Sequence, residues 1–431
     1  MDALKERLEQ RTAKVAIIGQ GYVGLPLAMC FAEAGYSVLG LEVDADKVAS
    51  LQAGRSYIPD VPDSRLAAAR AGKYEATTDP DRLGEADAIL ITVPTPYTKT
   101  KQPDMTYVQQ AARAISRRLR PGQLVVLEST TYPGTTETLL LPQLETSGLK
   151  VGQDFEVAYS PERIEPGNRQ FSLHNTPKVV GGLTPRSTEL AALLYGAIVA
   201  QVVRVSSPAA AEMTKLLENT YRHVNIALAN EMAQLCHRMG INIWEVVQAA
   251  ASKPFGFAPF YPGPGVGGHC IPIDPYYLVW KAQEHETVAR LVELAGQINE
   301  TMPDWVVERV ADMLNDRGKS LKGSRVLLVG VSYKKDVPDL REAPALKVLE
   351  KLHRKGSHLL YHDPLVPSLP WHYGALESVP LTEEVLHGVD CVVLLTDHSC
   401  LDRDLLVRAA PVILDTRNAL PGYRQSSVIR L

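Results

Sequence analysis

The spacing of apolar residues predicts alternating strands and helices over the first half of the chain. Short apolar runs predict strands at 15–19, 36–42, 88–93, 124–127, 157–159 and 199–205. A helical pattern runs from Leu25 to Ala34 and ends at Gly35, as helices often do at glycine. Strands that alternate with helices are typical of a parallel, doubly wound sheet with helices on both faces. We therefore expect a first α/β domain over residues 1–205.

A single long helix is predicted in the middle of the chain. Ser206 is a good N-cap residue, and Pro208 is tolerated at the first helical position. From there to Met239 the chain contains no further proline or glycine. About thirty residues at 1.5 Å each give a helix of roughly 45 Å, long enough to span between domains or to form a subunit interface. A loop rich in glycine and proline follows at 253–275, and we expect a central helical domain over 206–305.

The alternation of strands and helices restarts near Leu321. Apolar runs predict strands at 325–330, 357–361, 391–395 and 412–415, with a helix at 344–355. This pattern predicts a second α/β domain, which we place at 306–431. The expected fold class is α/β, with two Rossmann-like doubly wound domains joined by a helical middle domain that contains the long central helix.

Composition narrows the classes of function. The chain has 431 residues, is 45% hydrophobic and carries a net charge of -4, so it lacks the basic footprint of a nucleic-acid-binding protein. Its apolar runs are shorter than the ~20 residues of a membrane helix, and its charged N-terminus does not resemble a secretion signal. The five cysteines are scattered without a CxxC pair, so we expect neither a disulfide framework nor a metal site. These features favour a cytoplasmic protein that binds neither nucleic acid nor membrane.

Three glycines form a dinucleotide-binding fingerprint. Gly19, Gly21 and Gly24 match GxGxxG, follow a predicted strand and open a predicted helix. In that context the first glycine allows a tight turn, the second lets the backbone approach a pyrophosphate, and the third permits close helix–strand packing. The pyrophosphate then lies at the positive end of the helix dipole. A glycine loop without a ligand is the alternative interpretation.

An acidic residue completes the fingerprint. Glu42 ends the second predicted strand, and Asp44 lies just beyond it. A carboxylate at this position accepts hydrogen bonds from the adenine ribose and repels a 2′-phosphate, which favours NAD over NADP. The nearby cation Lys47 weakens this preference slightly.

The densest cluster of unusual residues is the loop before Asp274. Four glycines between 263 and 268 lead into Cys270, and we interpret them as letting the backbone fold closely around a ligand. A cysteine in such a loop can be a covalent nucleophile. The alternative is a buried, inert thiol, which explains Cys30, Cys236 and Cys391 better than it explains Cys270.

Other polar residues are weaker candidates individually. Lys215, Asn219 and Arg222 share one face of the long helix, where a lysine and an amide can hold an oxyanion, although a solvated polar face has the same spacing. Glu162 and Thr130 follow strands of the first domain and are candidates for a base and for a group that holds water. Three cations of the second α/β domain suit a phosphate-bearing ligand, or are ordinary surface charges: Lys334, Arg341 and Arg417.

Together these motifs resemble those of the nucleotide-sugar 6-dehydrogenase family, which oxidises UDP-hexoses to UDP-hexuronates with two NAD. The resemblance spans residues 12–425. It rests on 19–26 (GQGYVGLP), 93–96 (VPTP), 129–136 (STTYPGTT), 160–163 (SPER), 215–219 (KLLEN), 267–274 (GGHCIPID) and 333–341 (YKKDVPDLR).

The resemblance implies a four-electron oxidation through a thiohemiacetal and a thioester on Cys270. It implies that Lys215 and Asn219 are oxyanion donors, that Asp274 and a water held by Thr130 assist proton transfer, and that Glu162 is a general base. The implied NAD-binding residues are Gly19, Gly21, Tyr22, Val23, Gly24, Glu42, Lys47, Thr95 and Thr130. The implied UDP-sugar-binding residues are Glu162, Arg163, Lys215, Asn219, Arg222, Phe260, Tyr261, Gly263, Gly267, Lys334, Arg341 and Arg417. A homodimer built across the middle domain is also implied.

Loop residues point to the substrate branch. His269 and Ile273 stand where glucose-specific members carry serine and lysine. With the segments 160–167, 253–257 and 260–264, the loop looks most like the UDP-N-acetylglucosamine branch. The UDP-N-acetylmannosamine enzymes share the histidine loop, so that sugar and UDP-glucose remain alternatives. A two-electron hydroxyacid dehydrogenase and a non-catalytic nucleotide-sugar-binding regulator are more distant alternatives.

Overall fold

A computed structural model of the chain describes residues 2–98, 100–164, 168, 170–423 and 425–431. The chain divides into two compact units, the first made of residues 1–218 and 280–287 and the second of residues 219–279 and 288–431. Within the described part of the chain, no helix combines the length and the apolar character needed to cross a membrane.

The first unit is built on an eight-stranded sheet. Its strands are β1 (Lys14–Ile18), β2 (Ser37–Leu41), β3 (Tyr74–Thr77), β4 (Ala88–Ile91), β5 (Leu124–Leu127), β6 (Glu156–Tyr159), β7 (Lys178–Gly182) and β8 (Val202–Arg204). Their order in the sheet is β3-β2-β1-β4-β5-β6-β7-β8, so the order reverses between β1 and β4. Ligands of doubly wound sheets bind outside the carboxyl ends of the strands at such a reversal.

One part of the sheet differs from the all-parallel prediction. The six strands β1 to β6 are parallel, but β7 pairs with β6 in the antiparallel direction, with Ala158 opposite Gly182. A parallel pair needs a crossover, usually a helix, and the described residues between β6 and β7 contain none. The chain therefore reverses at this point, and β8 then runs parallel to β7.

Helices alternate with the strands along the chain of the first unit, and the last of them continues into the second unit. They are α1 (Asp2–Glu9), α2 (Gly24–Glu33), α3 (Ala45–Gln52), α4 (Asp63–Arg70), α5 (Thr106–Ser116), α6 (Leu141–Glu145), α7 (Pro185–Gly196) and α8 (Pro208–Arg238), with a 3₁₀ helix at Pro80–Glu85 and a π-helical turn at Thr136–Leu140. Every residue of β4, β5 and β6 is buried, as expected for strands covered on both faces. The predicted long helix is confirmed, since α8 has 31 residues.

The second unit begins within α8 and contains a five-stranded sheet. Its further elements are α9 (Ile243–Ala251), α10 (Asp274–Glu284, of which the residues from Trp280 belong to the first unit), α11 (Arg290–Asn315), β9 (Arg325–Val329), α12 (Pro344–Arg354), β10 (His358–His362), β11 (Ser368–Leu369), β12 (Leu376–Glu377), α13 (Glu383–His387), β13 (Cys391–Leu394), α14 (Arg403–Ala409), β14 (Ile413–Asp415) and β15 (Val428–Arg430). The sheet is parallel throughout in the order β10-β9-β13-β14-β15, and β11 pairs with β12 separately.

Alternating residues of this sheet build two separate cores. Val326 and Leu328 of β9 pack in one core with residues of α11 and α12. Leu327 and Val329 pack in the other with residues of α13 and α14. The predicted fold class is therefore confirmed: two α/β sheets, the first parallel apart from the β6–β7 pair and the second parallel throughout, with a helical segment between them in the chain. The predicted domain boundaries after 205 and 305 stay predictions.

Candidate functional site

The three glycines after β1 serve three different purposes. Gly19 has a left-handed φ of 93°, and Gly24 lies so close to Gly19 that a Cβ would be 1.8 Å from its carbonyl oxygen. Neither position can carry a side chain without moving backbone. A Cβ at Gly21 would meet nothing within 4 Å. Since neither packing nor conformation requires the middle glycine, it leaves room for a ligand, and the loop fits a dinucleotide.

Glu42 holds this glycine loop from the end of β2. Its buried carboxylate accepts hydrogen bonds from the backbone N–H of Gln20 at 3.0 Å and of Val43 at 2.9 Å. Asp44 instead caps α3, and Lys47 is exposed and lies 3.8 Å from the Asp44 carboxylate. Glu42 is therefore the better placed of the two acids to meet a ribose, and Lys47 is partly neutralised by its neighbour.

The remaining cofactor candidates lie at the same edge of the sheet. Tyr22 is exposed, and Val23 is the N-cap of α2. Thr95 and Thr130 are half-buried and follow β4, which lies next to β1 in the sheet, and β5, which lies next to β4. The structure thus places the predicted NAD-binding residues along the carboxyl ends of adjacent parallel strands, where dinucleotides bind in this fold.

Glu162 belongs to a buried cluster of charged side chains. Lys178 of β7 is 3% exposed, and its Nζ lies 2.7 Å from Glu128 and 3.3 Å from Glu162. Tyr195 donates its hydroxyl to Glu128, and the backbone N–H groups of residues 163 and 164 donate to Glu162. Sequence reasoning missed Lys178, because nothing local shows that β7 pairs with β6 in the antiparallel direction and so brings Lys178 near the carboxylate that follows β5.

The cluster sets the charge of each member. Burial raises the pKa of Glu128, although Lys178 opposes the change. Burial would also raise the pKa of Glu162, but Lys178, the N–H of Ile164 and the charge of Lys215 together hold it below its usual value. Burial works to lower the pKa of Lys178, and the two carboxylates outweigh it, so its pKa is raised. Glu162 is therefore an ionised hydrogen-bond acceptor at neutral pH.

Lys215 and Asn219 are not on a solvated helix face. Each side chain is only 7% exposed, which excludes the alternative that this part of α8 is an ordinary solvated polar face. One turn before Lys215, the buried carboxylate of Glu212 accepts hydrogen bonds from Gly134 N at 2.6 Å and Thr136 N at 2.9 Å. Glu212, which sequence reasoning missed, thus anchors the loop that follows β5 and carries Thr130.

In the first unit, Arg163 is engaged within the protein. Its guanidinium lies 2.6 Å from Glu218 and donates to the carbonyl of Pro177. The neighbouring stretch of the 160–167 motif lies in part outside the described residues, since 165–167 are not among them.

In the second unit, the cysteine loop is joined to α8 through Asp274. The buried Asp274 accepts a hydrogen bond from the Asn219 side chain, and its N–H donates to the Cys270 carbonyl at 2.8 Å. Cys270 is half-buried, and its Sγ lies 2.7 Å from Nδ1 of His269. The structure therefore brings together Cys270, Asp274 and Asn219, and it adds His269, which the sequence reasoning used only as a marker of substrate branch.

The glycines of this loop pack closely against protein, and the interpretation that they also fold around a ligand stays a prediction. A Cβ at Gly267 would lie 2.7 Å from the Tyr333 Cβ, and one at Gly268 would lie 3.0 Å from the Tyr333 ring. A Cβ at Gly263 would lie 2.7 Å from the Arg417 guanidinium. The segments that bear predicted UDP-sugar-binding residues therefore touch the cysteine loop directly.

Two buried amides position the start of the loop. Asn230 of α8 accepts a hydrogen bond from Gly263 N at 3.0 Å and donates to Asn299 at 2.9 Å. Sequence reasoning missed both; the only signal is that Asn230 continues the polar face begun by Asn219. Nearby, Phe260 packs edge-on against Tyr221, and Tyr261 stacks on Trp244.

The predicted cations lie at the carboxyl edge of the second sheet. Arg417 follows β14, is half-buried and donates to the carbonyl of Leu395 at 2.8 Å. Lys334 follows β9 and is half-buried. Arg341 is exposed and makes a bidentate pair with Asp339, so part of its charge is already compensated. Arg222 of α8 is half-buried.

Hydrogen bonds to two buried side chains fix the loop that carries Lys334. Buried Asp363, at the end of β10, accepts the N–H of Val331 at 2.7 Å and lies 3.2 Å from buried His398. His398 accepts the N–H of Asp336 at 3.0 Å. These two residues, which were not predicted, determine the path of the chain around Lys334.

Comparison with known proteins decides the family. Three domain models of the UDP-glucose/GDP-mannose dehydrogenase family match the chain: the NAD binding domain over 13–199, the central domain over 209–301 and the UDP binding domain over 327–422. The chain belongs to this dehydrogenase family. The enzyme is therefore an NAD-dependent oxidoreductase of nucleotide sugars, and the predictions of family, enzyme class and cofactor are confirmed.

Individual relatives of this dehydrogenase cover nearly its whole length. An NDP-N-acetyl-D-galactosaminuronic acid dehydrogenase of Ralstonia nicotianae is 38% identical over 95% of this chain and 97% of the relative. A UDP-N-acetyl-D-mannosamine dehydrogenase of Escherichia coli K12 is 37% identical over 90% of this chain and 94% of the relative. The solved structure of a UDP-D-ManNAc dehydrogenase from Pyrococcus horikoshii matches with a TM-score of 0.88 and 32% identity, covering 97% of this chain and 98% of that chain.

The glycine loop of the dehydrogenase gives a paired prediction. Gly21→Ala should leave the free energy of unfolding within about 0.5 kcal/mol of the parent but weaken NAD binding at least about tenfold, because its methyl group enters only the ligand's space. Gly24→Ala should lose about 1–3 kcal/mol of stability even without NAD, because its methyl group overlaps backbone. Urea unfolding and NAD titration measure both; normal NAD affinity in Gly21→Ala would refute the assignment.

The buried charge cluster gives a second prediction. Lys178→Met should lower the free energy of unfolding by about 3–5 kcal/mol, because Glu128 and Glu162 are left buried without their cation. The matched control is Lys150→Met, which removes an exposed lysine paired with Glu145 and should cost no more than about 1 kcal/mol. Equal losses in the two variants, measured by urea unfolding, would contradict this account.

Proposed function

We propose that this enzyme oxidises the 6-hydroxymethyl group of a UDP-N-acetylhexosamine to a carboxylate. NAD, when bound, accepts a hydride in each of two oxidations. The alcohol becomes an aldehyde, the thiol of Cys270 adds to it to form a thiohemiacetal, the second oxidation gives a thioester, and water releases the acid. The observation that carries the proposal is the half-buried thiol of Cys270 held in a loop packed against the segments of Lys334 and Arg417.

The environment of each polar residue supports its proposed role. An amide group has two N–H donors, and Asn219 uses one on Asp274, so the other suits a donor to an oxyanion. Lys215 is the second proposed oxyanion donor. Ionised Glu162 suits a proton acceptor, and Thr130 on its anchored loop suits a group that holds water. Asp274 adjoins Cys270 through the backbone and is the further candidate for proton transfer.

The UDP-sugar is proposed to contact the second unit. Phosphates are bound by fixed cations and backbone N–H groups, which Lys334, Arg341 and Arg417 supply at the edge of the second sheet. Phe260, Tyr261, Gly263 and Gly267 would line the same ligand. Glu162, Arg163 and Arg222 are the proposed contacts to the sugar.

The choice of sugar remains between epimers. In the sequence, His269 and Ile273 favour N-acetylglucosamine as the sugar, and this assignment stays a prediction. The names of the relatives favour N-acetylmannosamine, which differs only in the configuration at C2, and the galacto series, whose uronic acid is the C6-oxidised form of the C4 epimer N-acetylgalactosamine. The acetamido group is common to all three, so we assign the substrate class as UDP-N-acetylhexosamine.

An apolar stripe on α8 supports a homodimer built across the middle domain. Tyr221, Leu228 and Leu235 are spaced i, i+7 and i+14 on one face of the helix and are each about half exposed. Leu291 and Leu294 of α11 are also exposed. Large exposed apolar residues in a row are typical of protein interfaces. We further propose a cytoplasmic location, where nucleotide sugars and NAD are supplied.

The first test measures NADH and product mass with UDP-N-acetylglucosamine, UDP-N-acetylmannosamine, UDP-N-acetylgalactosamine and UDP-glucose. We expect two NADH per sugar and a product heavier by one oxygen and lighter by two hydrogens with at least one N-acetylated sugar. Turnover of UDP-glucose alone would contradict the proposed substrate class and assign a UDP-hexose without an acetamido group. No NADH with any of the four would overturn the proposal and favour a nucleotide-sugar-binding regulator.

The second test removes the thiol. Cys270→Ala should retain binding of NAD and UDP-sugar but lose uronate formation, because no thioester can form. Cys400→Ala, which removes an exposed thiol outside the proposed site, is the control and should behave like the parent. Uronate formed by Cys270→Ala at the rate of the parent would disprove covalent catalysis.

A further inference from the structure

The thiol of Cys270 has an imidazole at hydrogen-bonding distance. Its Sγ lies 2.7 Å from Nδ1 of His269, the preceding residue, and both side chains are half-buried. Side chains of adjacent residues in an extended chain point to opposite sides, so this contact depends on a bend. Gly268 supplies one part of the bend with a φ of 91°, and the Cys270 carbonyl supplies the other by accepting the N–H groups of Ile273 and Asp274.

The bend is fixed by the segment after β9. Gly268 N donates to the carbonyl of Arg341 at 3.0 Å, and Gly268 lies against the ring of Tyr333. Tyr333 N in turn donates to the carbonyl of Asp339 at 2.9 Å. The imidazole of His269 is thereby held beside a segment that bears a buried carboxylate.

That carboxylate is ionised and its field reaches His269. Burial would raise the pKa of Asp339, but hydrogen bonds from the side chain and backbone of Arg341, and the charge of His269, hold it below its usual value. Among the described residues, the charged and titratable groups near the pair include Asp339, Arg341 and Tyr333 from the segment after β9, and Asp274 from α10. The Asp274 carboxylate accepts a hydrogen bond from the Asn219 side chain. A protonated imidazole within reach of this negative charge of Asp339 is stabilised by it.

We propose that His269 is the proton partner of Cys270, and that the negative charge of Asp339 favours its imidazolium form. This inference rests on the proposed nucleophilic role of Cys270 and deepens it. The imidazole accepts the thiol proton, and the sulfur attacks the carbonyl carbon of the aldehyde. A C–S bond forms, the π electrons of the C=O bond move to oxygen, and that oxygen takes the proton from the imidazolium. The proton that left sulfur ends on the thiohemiacetal hydroxyl, and no oxidant is needed for this addition.

A histidine that only contacts the sugar would serve the enzyme differently. It would alter which UDP-sugar binds but would leave the reactivity of the thiol unchanged when no sugar is present. A thiolate held by an imidazolium is reactive at a lower pH than an ordinary thiol, with or without ligand. Thiol reactivity in the ligand-free enzyme therefore separates the two roles.

The experiment measures the rate of iodoacetamide alkylation at Cys270 against pH, by mass spectrometry of the peptide, without NAD or sugar. The parent should reach half its maximal rate well below the pH of about 8.5 expected for an ordinary thiol. His269→Gln should move this midpoint toward that value and slow alkylation at pH 6.5 by at least about tenfold. Asp339→Asn should cause a smaller shift in the same direction. Cys400 within the same digest is the internal control, and its profile should not move.

Two results would overturn the inference: a parent midpoint at or above about pH 8.5, which needs no variant to fold, or superimposable profiles for the parent and His269→Gln. His269→Asn, with a shorter amide that cannot titrate, should reproduce the Gln result if proton exchange matters, and an unchanged midpoint in it would also overturn the inference. Failure here is distinguishable from failure of the proposed function. If Cys270→Ala abolishes uronate but the His269 profiles superimpose, covalent catalysis stands and only the histidine role is lost.

Discussion

A parallel strand that ends in a ligand-binding loop leaves a backbone N–H without a partner in the sheet, and both halves of this enzyme solve that problem with one carboxylate. Glu42 at the end of β2 accepts the N–H of Gln20, and Asp363 at the end of β10 accepts the N–H of Val331. In each case the acceptor lies on the neighbouring strand and the donor follows a glycine with left-handed φ. An unsatisfied N–H in such a place costs about as much as a lost hydrogen bond. The loops that carry the dinucleotide fingerprint and Lys334 both begin at this interaction.

The two carboxylates differ in what else they contact. Asp363 is fully buried and paired with His398, so it is unable to reach a ligand. Glu42 directly follows β2 at the carboxyl edge of the first sheet, and its hydrogen-bond partners in the described structure are backbone donors alone. This difference agrees with the chemistry proposed for each half. The first offers an acid to a ribose, whereas the second offers the cations Lys334 and Arg417 to a diphosphate.

Features that depend on neighbours in sequence were predictable, and features that depend on the sheet order were not. The glycine loop, Glu42, the long helix and the thiol of Cys270 all follow from local spacing. Lys178 is 50 residues from Glu128 in the chain, and only the reversal at β7 brings it to that carboxylate. The same holds for the contact between Glu212 and the loop before Thr136. Sequence spacing also gave no sign of the close contact that the glycines before Cys270 make with Tyr333 and Arg417.

Close packing of that glycine loop has a consequence for exchanging parts between members of the family. Gly267 and Gly268 leave no room for a methyl group beside Tyr333, and Gly263 leaves none beside Arg417. The two surfaces are therefore complementary in shape, although they lie some 70 to 150 residues apart in sequence. A chimaera that takes residues 260–274 from one enzyme would fit only a recipient whose 333–344 segment has the same contour. Altering specificity by recombination would then require both segments to be transferred as one cassette.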